Sequence, residues 1–432
     1  MSPVLDAREA PALPGHFLLG HLPRRQRDPL GMYLEAAETL GGFARFHLLG
    51  KALYLVSEPE GIQRVLADNA ANYAKGFGYA AMKSVMGEGL VTAEGAAWRE
   101  QRRRCVPAFH GRRLEQLLAP MRQVIDAGVA SWGQHGEAVD LFAASLTLSR
   151  HVAARALLSL DGPLDALDDA IPLLQREVSR RSLALFTVPL PFRTPRERAF
   201  DRALATLDAF VYAQLRSRRG SESRQNDLLQ DLLDAYGPDE EVPLRDALVT
   251  LFLAAYETTA TSLTWILWLL AQHPESAERV YAETVGTPGG GPYTRQVIEE
   301  GMRLYPAVWL FARRAINADV VAGYQVPAGS FLLISPWVNH HLTRFWDKPG
   351  EFRPERFDAA QRPAIPKLAY LPFSSGPRQC IGAAFAIMEL TAMVGAVVQR
   401  YRMELSDPRA PGFEPLITLQ PARRIHLKLR AR

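Results

Sequence analysis

Phe373-Ser374-Ser375-Gly376-Pro377-Arg378-Gln379-Cys380-Ile381-Gly382 is the stretch on which the fold turns. A cysteine sits on a Gly/Pro loop directly ahead of a helical apolar pattern, Ala383 to Gln399. Backbone N–H groups at the start of such a helix stabilise a thiolate. Gly376 and Gly382 let backbone pass close to a flat cofactor, and the Arg378 fork suits a carboxylate. Phe373 stands seven residues before the cysteine. The bland alternative is a buried structural cysteine that follows a loop.

Five further stretches, working outward, carry polar residues in unusual settings. Ala254-Ala255-Tyr256-Glu257-Thr258-Thr259 lies midway between Pro243 and Pro274. A helix between those prolines would run roughly 45 Å. Its apolar part, Leu248 to Leu270, has the length of a bilayer span. Glu257 at its centre would be costly in lipid, so a central core helix with a polar notch is expected. A threonine there often only bonds back to the i−4 carbonyl. Glu300-Gly301-Met302-Arg303 places a carboxylate and a guanidinium on one helix face; alone, that is a common surface pair. Trp98-Arg99-Glu100-Gln101-Arg102 likewise puts an aromatic and a cation on one face. Phe311-Ala312-Arg313-Arg314-Ala315 follows the Glu300 helix, and Arg356 lies further on in Pro354-Glu355-Arg356-Phe357.

Composition narrows the class. The chain has 432 residues, 48% hydrophobic and 22% charged, an ordinary globular balance that excludes disordered, collagen-like and disulfide-scaffold chains. Its length suffices to bury a large core and a cofactor. Net charge is +4, which chooses no partner among nucleic acid, membrane and acidic protein. Two cysteines, Cys105 and Cys380, indicate a reducing, cytoplasmic setting; Cys105 is assigned no function. No N-terminal run is apolar enough for a signal core or an anchor.

The cysteine loop matches every defined position of Phe-x-x-Gly-x-Arg-x-Cys-x-Gly, and with the outer stretches in their order the chain resembles the cytochrome P450 monooxygenases from about Pro11 to Leu429. The resemblance implies an α+β, mainly α fold with a long central helix over the haem and small β-sheets. One domain, 1–432, is expected, without a fused reductase. It implies haem b, with Cys380 as the iron ligand and Phe373, Gly376, Arg378 and Gly382 shaping its loop. Trp98, Arg102 and Arg313 would reach the propionates, with Arg314 a rival to Arg313, and Ala254 would lie against the haem. Glu257 and Thr258 match an acid–alcohol pair that relays protons to the oxygen site; Ala255 stands where the family usually has Gly. Glu300, Arg303 and Arg356 resemble a structural triad, in which a second Arg helps offset desolvation of a buried pair.

Phe77, Tyr79, Met82, Leu251, Ala254, Ala255, Val308, Trp309 and Ile417 are placed by position in an apolar distal pocket. None is charged, which favours a large hydrocarbon-like substrate: a carotenoid ring first, then a fatty acid or terpenoid. Met302 to Trp309 and the short Ala282–Thr294 connection look similar to soluble bacterial carotenoid ring hydroxylases. Two electrons would come from a separate ferredoxin-type donor with its reductase, docked on the basic cluster Arg102-Arg103-Arg104, Arg112 and Arg113. A monomer is expected, with no nucleic acid and at most peripheral membrane contact. The alternatives are a non-catalytic haem sensor and a peroxide-driven haem enzyme. Gly289-Gly290-Gly291 lacks Gly-Lys-Ser/Thr and is no phosphate loop. His340 and His341 read as surface or loop histidines.

Along the chain, helices are expected over Leu114–Trp132, Leu141–Leu158 and Arg196–Arg218, and strands over Leu53–Ser57, within Ala322–Ser335, and over Arg424–Arg430. Pro11 to Pro29 reads as an extended lead-in.

Overall fold

A computed structural model describes residues 8–48, 51–133, 138–160, 164–183, 193–286 and 290–432. Helices dominate, and small sheets flank them. The longest helix, Glu241–Gln272, has 32 residues. All but a few of its middle and C-terminal residues are buried, so it runs through the core. Pro243 sits in its first turn, where a missing N–H costs nothing. Pro274 opens the next helix, Pro274–Gly286. Helices Leu141–Leu158 and Ala383–Arg400 both pack along the central helix. That last helix is the one described segment long and apolar enough to cross a bilayer, and more than half of it is buried inside the fold.

The main sheet has five strands in the order Phe43–Leu48, Lys51–Val56, Phe331–Ile334, Phe311–Ala315, Tyr73–Lys75. Only Lys51–Val56 and Phe331–Ile334 pair in parallel. In the last pairing Lys75 stands opposite Arg313, which places two cations side by side. Phe331–Ile334 and Tyr324–Val326 flank a turn in which Gly329 adopts φ 79°.

Sequence and structure agree on Leu141–Leu158 to the residue, and within a few residues on Gly111–Ser131 and Pro195–Arg219. The lead-in is corrected: Leu22–Arg27 forms a helical turn and a half with Pro23 near its start, where proline is tolerated. After strand Lys51–Val56, Pro59 opens the short helix Pro59–Gln63. Gly289, the first of the glycine run, lies outside the described residues.

Candidate active site

Cys380 opens onto an internal cavity of about 310 Å³. The loop that presents it is closed by the Cys380 N–H donating to the Phe373 carbonyl (3.0 Å) and the Gln379 N–H to the Gly376 carbonyl (3.0 Å). Gly376 has φ +73°, and a Cβ there would lie 1.9 Å from the Leu66 carbonyl oxygen, so only glycine fits. Gly382 has room for a Cβ and serves as N-cap of helix Ala383–Arg400. Burial pushes the Cys380 thiol up, while the Gly382 backbone N–H and the Arg102 charge pull it back down.

Across the cavity the central helix presents Leu251, Ala254, Ala255, Thr258 and Ser262. Steps of three and four put them on one face. The Thr258 hydroxyl donates to the Ala254 carbonyl at 2.8 Å, the back-bond that threonines make in helix interiors. Glu257 faces away from this stripe. It accepts hydrogen bonds from Gln175 Nε2 (2.5 Å), Thr418 Oγ1 (2.7 Å) and Gln420 Nε2 (3.2 Å). Burial raises its carboxyl, and the bonds from Thr418 and Gln420 oppose that.

Cations gather at one end of the cavity. Lys75, Arg102, Arg313 and Arg378 all line it, with Trp98 among them. Arg378 lies over the Trp98 ring at 4.5 Å and pairs with Glu94 at 2.7 Å. Arg102 donates to the Gln379 carbonyl at 2.9 Å, tying the Trp98 helix to the cysteine loop. Arg313 is 5% exposed, whereas Arg314, on the other face of the same strand, is exposed; alternation decides between the rivals. Burial and the charges of Arg313 and Arg378 hold Lys75 well below the usual lysine range. Three guanidinium groups with one carboxylate among them, beside a lysine whose charged form is disfavoured, leave an excess of positive charge at this end, which the two propionates of a haem would offset. The residues present therefore fit the group that the resemblance implies. Lys75 was not singled out from sequence; its partner across the sheet, Arg313, was the signal that could have found it.

The remaining expectations divide. Tyr79 and Val308 line the cavity with the central-helix stripe. Phe77, Met82, Trp309 and Ile417 do not: Phe77 packs edge-on against Phe331 (5.7 Å), Met82 and Ile417 pack on the main core, and Trp309 donates its indole N–H to the Leu416 carbonyl at 2.9 Å. Trp309 lies in irregular chain between helix Pro292–Leu304 and strand Phe311–Ala315 and turns its ring to the Leu416 carbonyl instead. Phe109, Leu90, Val91 and Phe311 line the cavity unpredicted. Within the basic cluster, Arg103 and Arg104 pair with Glu100 (2.6 Å each), Arg104 with Glu240 (2.8 Å) and Arg113 with Asp231 (2.7 Å). Its cations are largely internally neutralised.

Behind the cysteine loop, Glu300 takes a two-point bond from Arg303 (2.7 and 2.8 Å) and one from Arg356 (3.3 Å). Arg303 also donates to the carbonyls of His340, Pro349 and Glu351. His340 and His341 are not surface groups; they end the buried helix Pro336–His341. The Leu371 N–H donates to His340 Nε2 (2.8 Å), and Nδ1 bonds the Arg303 carbonyl (3.1 Å). One neutral imidazole thus links the triad to the chain entering the cysteine loop. His341 stacks on Trp337 at 3.9 Å. Burial holds His340 well below 6.5 and His341 at about 4. The unfolded chain takes up these protons below pH ~6.5 and the folded chain does not. Stability should then fall by about 1.4 kcal/mol per pH unit per histidine as pH drops from there towards 4. Guanidinium unfolding at several pH values will show this, and His341→Gln should flatten part of the slope; an unchanged slope in that variant would mean His341 is charged in the fold.

The comparisons with known proteins come to the same place. A family model described as Cytochrome P450 matches residues 11–429. A Streptomyces melanosporofaciens protein named cyclooctat-9-en-7-ol 5-monooxygenase is 31% identical over 404 residues, covering 89% of this chain and 87% of its own. Cyclooctatin synthase of the same organism is 30% identical over 89% and 88%. The Arabidopsis thaliana chloroplastic protein LUTEIN DEFICIENT 5 is 28% identical over 88% and 69%. With the cysteine loop, the cationic end and the buried triad all inside the matched span, the chain belongs to the cytochrome P450 family and is an oxidoreductase.

Proposed function

We propose that the protein is a haem-thiolate monooxygenase that hydroxylates a large apolar terpenoid, a carotenoid ring foremost. The observation that carries this reading is the meeting, at one cavity, of an open cysteine, a cationic end and an apolar helix face interrupted by Thr258. When bound, haem supplies the activation of dioxygen and the insertion of one oxygen atom. Cys380 would hold its iron, and Lys75, Arg102, Arg313 and Arg378 its propionates. Leu251, Ala254, Ala255, Val308 and Phe311 would pack the substrate and exclude water. Glu257 and Thr258 would hold and pass protons at Oε1 or Oε2 and at Oγ1. The Ala255 methyl narrows the cavity where the family usually has glycine.

The substrate class rests on the apolar lining and on relatives named for a cyclooctatin-type alcohol and for lutein. A fatty acid fits less well, because the cavity's cations lie at the cofactor end. Electrons are assigned to a ferredoxin-type donor, in one P450 domain spanning 1–432, in the cytoplasm. The test is the reduced spectrum under carbon monoxide, followed by spin-shift titration with carotenoids, diterpene alcohols and fatty acids. A strongly red-shifted Soret band, with a spin shift and an oxygenated product from a terpenoid, is the expected result. A histidine-type band would point to a haem sensor. Turnover with peroxide but not with dioxygen and electrons would favour the peroxide-driven alternative.

A further inference from the structure

Glu257 is held by groups from two walls of the cavity, and each oxygen answers to a different one. Oε1 takes Thr418 and Gln420. Their segment is fixed to the cavity rim, where the Leu419 N–H donates to the Ala307 carbonyl at 2.9 Å, beside Val308. Oε2 takes Gln175, from helix Ala170–Leu183. Near the far end of that helix the Ser182 hydroxyl donates to the Gly78 carbonyl at 3.2 Å. Gly78 is the N-cap of helix Tyr79–Met86, whose first residue lines the cavity. No salt bridge reaches Glu257 among the described residues. The titratable group facing it is the Tyr256 phenol, kept un-ionised by burial, with the Arg150 charge and a Gln175 hydrogen bond opposing that.

We propose that Gln175 is a positioning residue for Glu257, and that through it the proton held by Glu257 responds to how the Tyr79 wall of the cavity is packed. This rests on the reading of Glu257 as the proton-relay acid. The Gln175 amide donates to the carboxylate, so its presence favours the charged form. Displacing helix Tyr79–Met86 outward pulls on Ser182 and lengthens the Gln175 bond. The carboxyl then keeps its proton to higher pH. An occupied cavity and a loaded acid are thereby linked, with Gln175 touching neither substrate nor cofactor.

The test reads the acid directly. The carboxyl stretch of Glu257 is isolated in the haem-loaded protein by infrared difference against Glu257→Gln and followed over pH. The measurement is repeated with 4-phenylimidazole, whose nitrogen ligates haem iron and whose ring fills the distal cavity. In the unliganded protein Gln175→Leu should raise the midpoint by about one pH unit. The probe should raise the midpoint of the parent protein and move that of Gln175→Leu much less. Gln420→Leu, on the other oxygen, should raise the midpoint while leaving the response to the probe intact. An unchanged midpoint in Gln175→Leu overturns the proposal, as does an equal response to the probe in both proteins. The relay reading fails separately, if Glu257→Gln forms as much product per electron pair as the parent.

Discussion

Glu300→Gln is expected to remove about 3–5 kcal/mol of stability and to leave little haem-loaded protein. Glu300 and Arg303 are both 0% exposed and Arg356 is 8% exposed. The variant keeps the shape and removes the one negative charge between two buried guanidinium groups. Neither cation can be resolvated without opening the segment 348–356, whose carbonyls they bind. The Arg353 N–H, which donates to the same carboxylate at 2.9 Å, loses a charged acceptor as well. Burial already disfavours the charged form of Arg356, so the unpaired variant would strain this group further. Guanidinium unfolding of the parent and variant measures the loss. Glu351→Gln is the control: its partner Lys348 and Glu351 itself are more than half exposed, and such a pair contributes under about 1 kcal/mol. Equal losses from the two variants would mean that the triad is no more than another surface ion pair.

The sequence made the long helix, the cysteine loop and the triad legible because each depends on local spacing. Ten consecutive residues specify the loop, and three-residue steps specify the Glu300–Arg303 face. The choice between Arg313 and Arg314 waited on the strand, since only pairing with Lys75 fixes which side faces in. Lys75 itself was invisible because a lone lysine in Tyr73-Ala74-Lys75 carries no pattern. The pocket was half legible. Residues on the central helix were found because helical periodicity predicts a face; Trp309 and Ile417 were misplaced because they lie in irregular chain, where a one-residue error reverses the side chain. The histidines failed for a related reason. Nothing in Asn339-His340-His341-Leu342 says that the triad's carbonyl-binding arginine will bury it. Two acidic partners of the basic cluster, Glu240 and Asp231, could not be read from its own stretch because they lie more than a hundred residues away.

Glu389 shows how far burial can shift chemistry in the same core. It is fully enclosed between Ser149 and Thr259 and pushed up to about 8. Burial thus disfavours a charge on the helix that follows the cysteine loop. Lys75, shifted the opposite way for a base, shares the logic: both sites disfavour charge until a partner arrives. For Lys75 the partner would be a propionate, which would restore its proton and its pairing.

Cys380→Ser should abolish the thiolate-type Soret band under carbon monoxide and reduce turnover to background, with the fold intact. The fold survives because what holds the loop is backbone: the Cys380 N–H bond to the Phe373 carbonyl, the left-handed Gly376 turn and the Arg102 bond to the Gln379 carbonyl. The side chain opens onto the cavity rather than into the core, so the exchange of sulfur for oxygen creates no void. Cys105→Ser makes the reciprocal case. That thiol is buried, 0% exposed, and burial raises it to about 11; a hydroxyl there is desolvated and destabilising, yet the spectrum should not change. Spectra and guanidinium unfolding of the two variants separate the roles: one cysteine gives up its function and keeps the fold, the other loses stability and keeps the band. A thiolate-type band that persists in Cys380→Ser would transfer the iron to Cys105, which is not among the residues lining the cavity, and the assignment of the cysteine loop would fall with it.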